Sequence, residues 1–320
     1  MADIALKETR GKPFQNLFDR VFHGTTWFFA MLVLAILGGV IVSLLDGAIP
    51  AFRTFGWNFL VTSNWNPVTE KFGALPAIYG TLVTSAIAMV VAVPIAFGIT
   101  IFITELCPPW LKRSLSTAIE LLAAVPSIIY GIWGLFVFAP FLQETLQPLL
   151  IETLGEIPVI GALFDGPPLG IGILTAGLIL AIMVLPFISA VMRDVFETVP
   201  PMLKESAYGL GCTTWEVVWN VVLPFTRVGV IGAVMLGLGR ALGETMAVTF
   251  VIGNAHRIKA SLLAPGTTIS ATLANEFTEA TGEAYISTLF AIGFILFVIT
   301  LMVLVVAKLM LMRLQKQAGN

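Results

Sequence analysis

This sequence has little charge: Asp, Glu, Lys and Arg make up 11% of its 320 residues, against 58% hydrophobic side chains. A soluble globular domain carries roughly a quarter charged residues, which excludes water as the main solvent of this chain. A disordered chain is excluded by the same figures, because disorder needs low hydrophobicity and high net charge. The net charge is only −2, and without a basic surface nucleic acid is not an expected partner. Two cysteines and two histidines are too few for a disulfide framework or a clustered transition-metal site, and neither a metal nor a cofactor is expected. No G-x-x-x-x-G-K-[ST] phosphate loop occurs, so any ATP-driven activity must draw on another chain.

What is present is apolar and long. Each helix needs about 20 mainly apolar residues to cross the hydrocarbon core, and six such stretches can be read: Thr25–Leu45, Ala77–Ile103, Ser116–Phe141, Pro168–Met192, Val228–Ile252 and Ala284–Met312. The expected fold class is all-α, a polytopic membrane protein with six transmembrane helices embedded in membrane lipid. Its parts are an N-terminal segment over 1–24, the six-span domain over 25–312 and a tail over 313–320. Phe14, Leu17, Phe18, Val21 and Phe22 recur at helical spacing before the first span, so an amphipathic interfacial helix is predicted there. The apolar run that follows is too long for a signal-peptide core, and the segment is expected to be kept.

Lys and Arg accumulate on the cytoplasmic side of membrane proteins. With the N-terminus inside, twelve basic residues fall on inner segments, among them Lys112, Arg113, Arg193, Lys204 and Arg227. Only Arg53, Lys71, Arg257 and Lys259 fall outside, while the outer loop 142–167 carries Glu144, Glu152, Glu156 and Asp165 and no basic residue. Both termini are therefore expected in the cytoplasm. His23 and His256 then lie on opposite sides and cannot cooperate. Cys107 and Cys212 fall in inner loops facing a reducing compartment.

The most informative inner segment is 193–224. Pro200 and Pro201 suit a helix start, and Gly211 can adopt the left-handed conformation that stops one. Thr213 and Glu216 form a capping box for a second helix. The prediction is a helix, a glycine turn and a helix, with Trp215, Val218, Trp219 and Val222 as a stripe packed on the membrane domain. Within the spans, Pro94, Pro126 and Pro186 each free a carbonyl, as a static kink or as a hinge. Glu120 is expected to reach water, Lys112 or Arg113. Ser127 and Tyr130 are read either as lining a polar path or as satisfying the carbonyls freed at Pro126.

Glu205, Ala207, Gly211, Val221, Leu223 and Pro224 stand at the spacing E-A-A, three residues, G, nine residues, I, one residue, L-P, with Ser206 and Val221 as the departures. In these residues the chain resembles the permease subunits of ABC importers of type I. That resemblance implies that the 193–224 segment is a cytoplasmic coupling loop seated in a groove of a separate ATPase subunit. Glu205, Ala207, Gly211, Leu223 and Pro224 would be its coupling residues. Stretches from Trp65, Glu120 and Gly237 (WNPVTEKFGALPAIYG, ELLAAVPSIIYGIWG, GLGRALGETMAVTFVIGN) are similar to the C-type permeases of phosphate-specific importers. This implies a phosphate path through a bacterial inner membrane, a homologous permease partner, cytoplasmic ATPase subunits and an external phosphate-binding protein, in a transport subunit that is not itself an enzyme. From the residues alone, a self-sufficient ion-coupled carrier or channel, or a permease for another oxyanion, stays open.

Arg240 and Glu244 stand four residues apart in the expected fifth span. Each charge near the middle of a bilayer costs about 3 kcal/mol, so the two are predicted to share one helical face and to pair. Gly237, Gly239 and Gly243 are expected to let a neighbouring helix approach that face. The pair is either a packing bridge or, on the importer reading, the substrate pathway, with Arg240 offering donors to a passing oxyanion.

Overall fold

The computed structural model describes residues 13–158 and 160–318. Residues 1–12, the Phe14 and Leu17 side chains of the predicted apolar stripe, and the side chains from residue 314 onward lie outside the described residues. Among the described residues six helices are long and apolar enough to cross a membrane: Phe18–Phe55, Leu75–Leu106, Ser127–Leu154, Ile173–Glu197, Thr214–Leu242 and Glu283–Arg313. Among the described residues the only β feature is an isolated bridge between Asn66 and Lys71. The architecture is an all-α membrane bundle.

The spans are right in number, and several edges move. Pro13–Phe55 is one unbroken helix of 43 residues, about 65 Å long. The predicted interfacial helix is therefore its first turns, not a separate element. The sixth helix likewise continues without a break to Ala318, through the expected tail. Pro109–Ala123 forms a separate helix, and the third span starts only at Ser127, after Pro126, and runs to Leu154 instead of Phe141. Much of the expected acidic outer loop is thus helical. The fifth span runs from Thr214 to Leu242, ten residues short of its predicted end.

Prolines account for the displaced third span and for the start of the fifth. Four stretches widen into π-helical turns, at Phe102–Leu106, Gly134–Phe138, Leu142–Leu146 and Val218–Val222. Each is followed two residues later by a proline: Pro108, Pro140, Pro148 and Pro224. A proline ring clashes with the carbonyl four residues earlier and donates no amide. A turn widened just before it takes the strain, and at Pro140, Pro148 and Pro224 the helix goes on.

The fourth span is the centre. Ile179, Leu180, Val184, Ile188 and Met192 are fully buried, packed against the alanine stripe Ala88, Ala92 and Ala96 of the second span. The first span stands at the edge. It leans on the sixth through Ala48 and Ala51, and a Cβ on Gly47 would meet the Phe290 ring at 2.7 Å. Phe28, Phe29, Val33 and Ile36 stay exposed, as a lipid-facing helix requires.

Loops gather on two faces. On one, which we call the basic face, Lys112 pairs with Glu197 at 3.0 Å and Arg193 with Glu120 at 2.7 Å and Asp194 at 2.8 Å. Glu120 therefore finds Arg193 and not Lys112 or Arg113. On the opposite face Glu276 accepts hydrogen bonds from Trp65 Nε1 at 2.8 Å and from the Tyr285 hydroxyl, and meets His256 Nε2 at 2.8 Å. The Trp65 and His256 rings stack 4.8 Å apart.

Burial would push the Glu276 carboxyl upward, but its partners His256, Tyr285 and Trp65 hold it below the usual carboxylate range. The stabilisation this confers is complete above the ordinary value of 4.5 and is lost as pH falls through the lowered value. We expect Glu276→Gln to cost about 1–2 kcal/mol at neutral pH. Thermal unfolding in detergent should show the gap from the unmodified chain closing as the pH falls below 4.5; a constant gap would remove the carboxylate from this role.

Candidate functional site

Two regions carry the residues singled out in the sequence. The first is the helix–turn–helix on the basic face. Pro201 opens a helix that runs to Gly209, and Gly211 follows with φ +89°, in the left-handed region that a Cβ disfavours. Cys212 N donates to the Ala207 carbonyl at 3.1 Å and closes the turn. Thr213 then caps the next helix in a complete capping box: its amide donates to Glu216 Oε2 at 2.8 Å, and its Oγ1 accepts from the Glu216 amide at 3.4 Å. Each local expectation is met here.

The second helix does not behave as predicted. It runs through the widened turn Val218–Val222 directly into the fifth span, so Leu223 and Pro224 lie within a continuous helix and not in a link. Val217 and Val222 are buried against Phe196 and Val199, and Val218 is buried as well, whereas Trp215 and Trp219 stack on each other 5.3 Å apart and stay exposed. The widened turn resets the helical phase and divides the stripe. Paired tryptophans of this kind suit the headgroup level of a membrane. On the first helix Ala207 faces the buried cluster, while Glu205, Met202, Tyr208 and Leu210 are exposed, Leu210 by 86%.

The second region surrounds Arg240. It stands in the last turn of the helix Leu223–Leu242, where Gly243 ends the fifth span. Glu244 lies beyond that end, so the two are not on one helical face. The Glu244 carboxylate instead accepts from the Ala247 amide at 3.2 Å, at the start of the short helix Met246–Thr249. No ion pair among those of the described residues joins Arg240 to Glu244. The guanidinium carbon of Arg240 sits 5.6 Å above the Phe187 ring, and its buried Nε has no hydrogen-bond partner. Tyr130 lies within its electrostatic reach. The Tyr130 hydroxyl donates to the Leu122 carbonyl at 2.9 Å, across the break at Pro126, which is the carbonyl-satisfying role.

Of the three glycines only Gly237 lets a neighbour in. A Cβ there would lie 2.5 Å from Ile188 Cγ1, whereas Gly239 faces open space and Gly243 has no close neighbour. Sequence reasoning missed Phe187, and it missed the ion pair of Lys204 with Glu105 at 2.5 Å. No spacing or periodicity marks partners so distant in the chain. Among the described residues no group of three His, Cys, Asp or Glu side chains could hold a metal ion.

Six apolar helices, a fifth that stops inside the bundle and an exposed helix–turn–helix on one face define a polytopic membrane transport component. Residues 96–316 match the family described as binding-protein-dependent transport system inner membrane component, and the chain belongs to it. It is thus a multi-pass inner membrane protein, a permease component of an ABC importer. The phosphate transport system permease protein PstC of Mesorhizobium japonicum is 63% identical over 95% of this chain and 93% of its own. That of Pasteurella multocida is 58% identical over 95% of each. In fold the chain is similar to a component of a bacterial alginate ABC transporter in complex with a pentasaccharide-bound periplasmic protein, with a TM-score of 0.59 at 18% identity, over 93% of this chain and 98% of that one. It is also similar to a chain of the MetNI methionine ABC transporter, with a TM-score of 0.56 at 15% identity, over 74% of this chain and 94% of that one.

Gly237→Val should cost about 1–3 kcal/mol by overpacking Ile188 and Val184. Gly239→Ala, in open space, should leave the thermal midpoint unchanged or raise it. Equal losses in the two variants would remove the close approach at Gly237.

Proposed function

We propose that this chain is the permease subunit that forms the transmembrane path for inorganic phosphate in an ATP-driven importer. A separate cytoplasmic subunit hydrolyses ATP, a homologous permease completes the path, and an external binding protein delivers the anion. The names of its relatives support the substrate. One geometric observation carries the assignment to Arg240: a guanidinium at the interrupted end of the fifth span, with a buried and unused Nε and, among the described residues, no carboxylate in an ion pair with it. A planar fork of donors in a poorly hydrated setting is suited to a tetrahedral oxyanion.

The basic face is the cytoplasmic one on this reading, and both termini lie there, in keeping with twelve basic residues against four. The ATPase docks on the Pro201–Gly209 helix around Glu205 and Gly211. Met202 and Leu210, apolar and 74% and 86% exposed, would then be covered by the partner. Leu223 and Pro224 belong to the root of the fifth span, so their part in coupling is to carry the docked helix's motion into the span that ends at Arg240.

Two outcomes test the reading. At Gly211, φ is +89° and no atom lies within 4 Å of a built Cβ, so Gly211→Val acts through backbone strain of about 1–2 kcal/mol. Co-purification of the ATPase subunit and phosphate uptake should both fall while membrane insertion persists; if neither changes, the face is only interfacial. Arg240→Gln should abolish phosphate uptake per assembled complex, and Arg240→Lys should restore little. Normal uptake in Arg240→Gln, or a defect confined to assembly, would leave Arg240 a packing residue.

A further inference from the structure

The coupling reading leaves open how movement of the Pro201–Gly209 helix reaches the membrane bundle. Its two covalent exits lead to the fourth and fifth spans, and neither reaches the second. On one side Thr198, Val199 and Pro200 link it to the fourth span without regular helix, and on the other the path runs through the left-handed Gly211 and the widened turn Val218–Val222. Its apolar contacts, centred on Phe196, Val199, Val217 and Val222, extend to Phe97 and Ile101 of the second span. Apolar surfaces can slide past one another, because the hydrophobic effect has no direction.

One contact is directional. Lys204 Nζ meets Glu105 Oε1 at 2.5 Å, with the lysine side chain 19% and the glutamate 5% exposed. It is the most sheltered ion pair between carboxylate and basic side chains on the basic face; Lys112 and Glu197, by comparison, are 37% and 45% exposed. A sheltered pair adds little net stability over an apolar replacement, but breaking it strands a charge. What it supplies is fixed geometry. Glu105 lies in the widened turn Phe102–Leu106 that closes the second span, where Cys107 N reaches back to the Phe102 carbonyl at 2.7 Å. From there the same helix runs to the opposite face. Thr81 Oγ1 accepts from Ile269 N at 2.9 Å, and Gly80 meets the Thr267 carbonyl closely enough to exclude a Cβ. The second span is therefore one rod between the helix on the basic face and the loop 253–268 on the other.

Resting on the coupling reading, we propose that the Lys204–Glu105 pair is the strap that delivers movement of the Pro201–Gly209 helix to the second span. Lys204 is a positioning residue, acting through Glu105. Breaking the strap leaves the ATPase free to dock and turn over but no longer moves the rod.

The test uses the full complex of both permeases and the ATPase in proteoliposomes, with the binding protein and labelled inorganic phosphate on the external side. It compares Glu105→Gln, Lys204→Met and the exchanged pair Glu105→Lys with Lys204→Glu. Each single variant should keep ATPase co-purification and ATP hydrolysis while uptake falls about tenfold or more, and the exchanged pair should recover about a third or more of the uptake. Uptake within about twofold of the unmodified complex in either single variant overturns the strap. So does a loss that the exchange fails to restore. Failure of the ATPase to co-purify with the unmodified chain would instead overturn the coupling reading itself, so the two failures are distinguishable.

Discussion

Lipid offers no hydrogen-bond partner, and the rest of this structure is organised around that constraint. Threonines and serines of the spans return their hydroxyls to carbonyls of the preceding turn, as Thr81, Thr84, Thr100, Ser189 and Thr226 do. Where the helix breaks, a side chain takes over. Tyr130 answers the Leu122 carbonyl across the break at Pro126, and Glu244 answers the Ala247 amide beyond the stop at Gly243. Pro140, Pro148 and Pro224 each follow a widened turn and the helix goes on, while Pro94 and Pro186 are carried inside regular helix. The fold is a set of local solutions to one solvation problem, held around the apolar fourth span.

What could be read from the sequence divides along the same line. The turn and caps of the helix–turn–helix were legible because their signals are local, Pro201 at a helix start, Gly211 in the left-handed region, Thr213 and Glu216 in a capping box, whereas the packing and the length of its second helix were not. The number of spans was legible from apolar length. Their edges were not, because Phe141 and Leu142 are as apolar as what precedes them and only a widened turn decides that the helix continues past Pro140 and Pro148. The Arg240–Glu244 spacing misled because four residues mean one face only if the helix is unbroken. Phe187, Glu105 and Ile269 stand far along the chain from the residues they meet, and no pattern in one segment records a partner in another.

The two faces are built differently. On the opposite face Trp65, Phe72, Tyr285 and His256 stack around Glu276, a cluster of aromatic area and converging donors. On the basic face two widened turns and a left-handed glycine sit among ion pairs whose side chains are in several cases half exposed. Exposed pairs contribute little and rearrange readily. Irregular backbone is therefore concentrated where the proposed ATPase subunit would act, and a tightly bonded cluster where an anion would be handed over. Under the proposed coupling, a permease driven from one side would gain from that asymmetry, since a second span anchored at its far end would pivot when its near end is moved.

If Arg240 lies on the proposed anion path, its surroundings extend this logic to the substrate. Had Glu244 stood one turn above on a continuous helix, its carboxylate would have neutralised the guanidinium and an anion would have had to displace it. The break at Gly243 sends the carboxylate to a backbone amide, and the ring of Phe187 takes its place beneath the cation. A cation over an aromatic face gains about 0.5–2 kcal/mol, less than a buried carboxylate offers and without occupying the N–H donors. The guanidinium is thus held in position while its hydrogen-bonding capacity stays free. On the proposed pathway, a nearby negative charge at Glu244, engaged but not removed, would limit how tightly an anion could stay. An oxyanion path needs both properties, attraction strong enough to draw the ion from water and a local field weak enough to let it go.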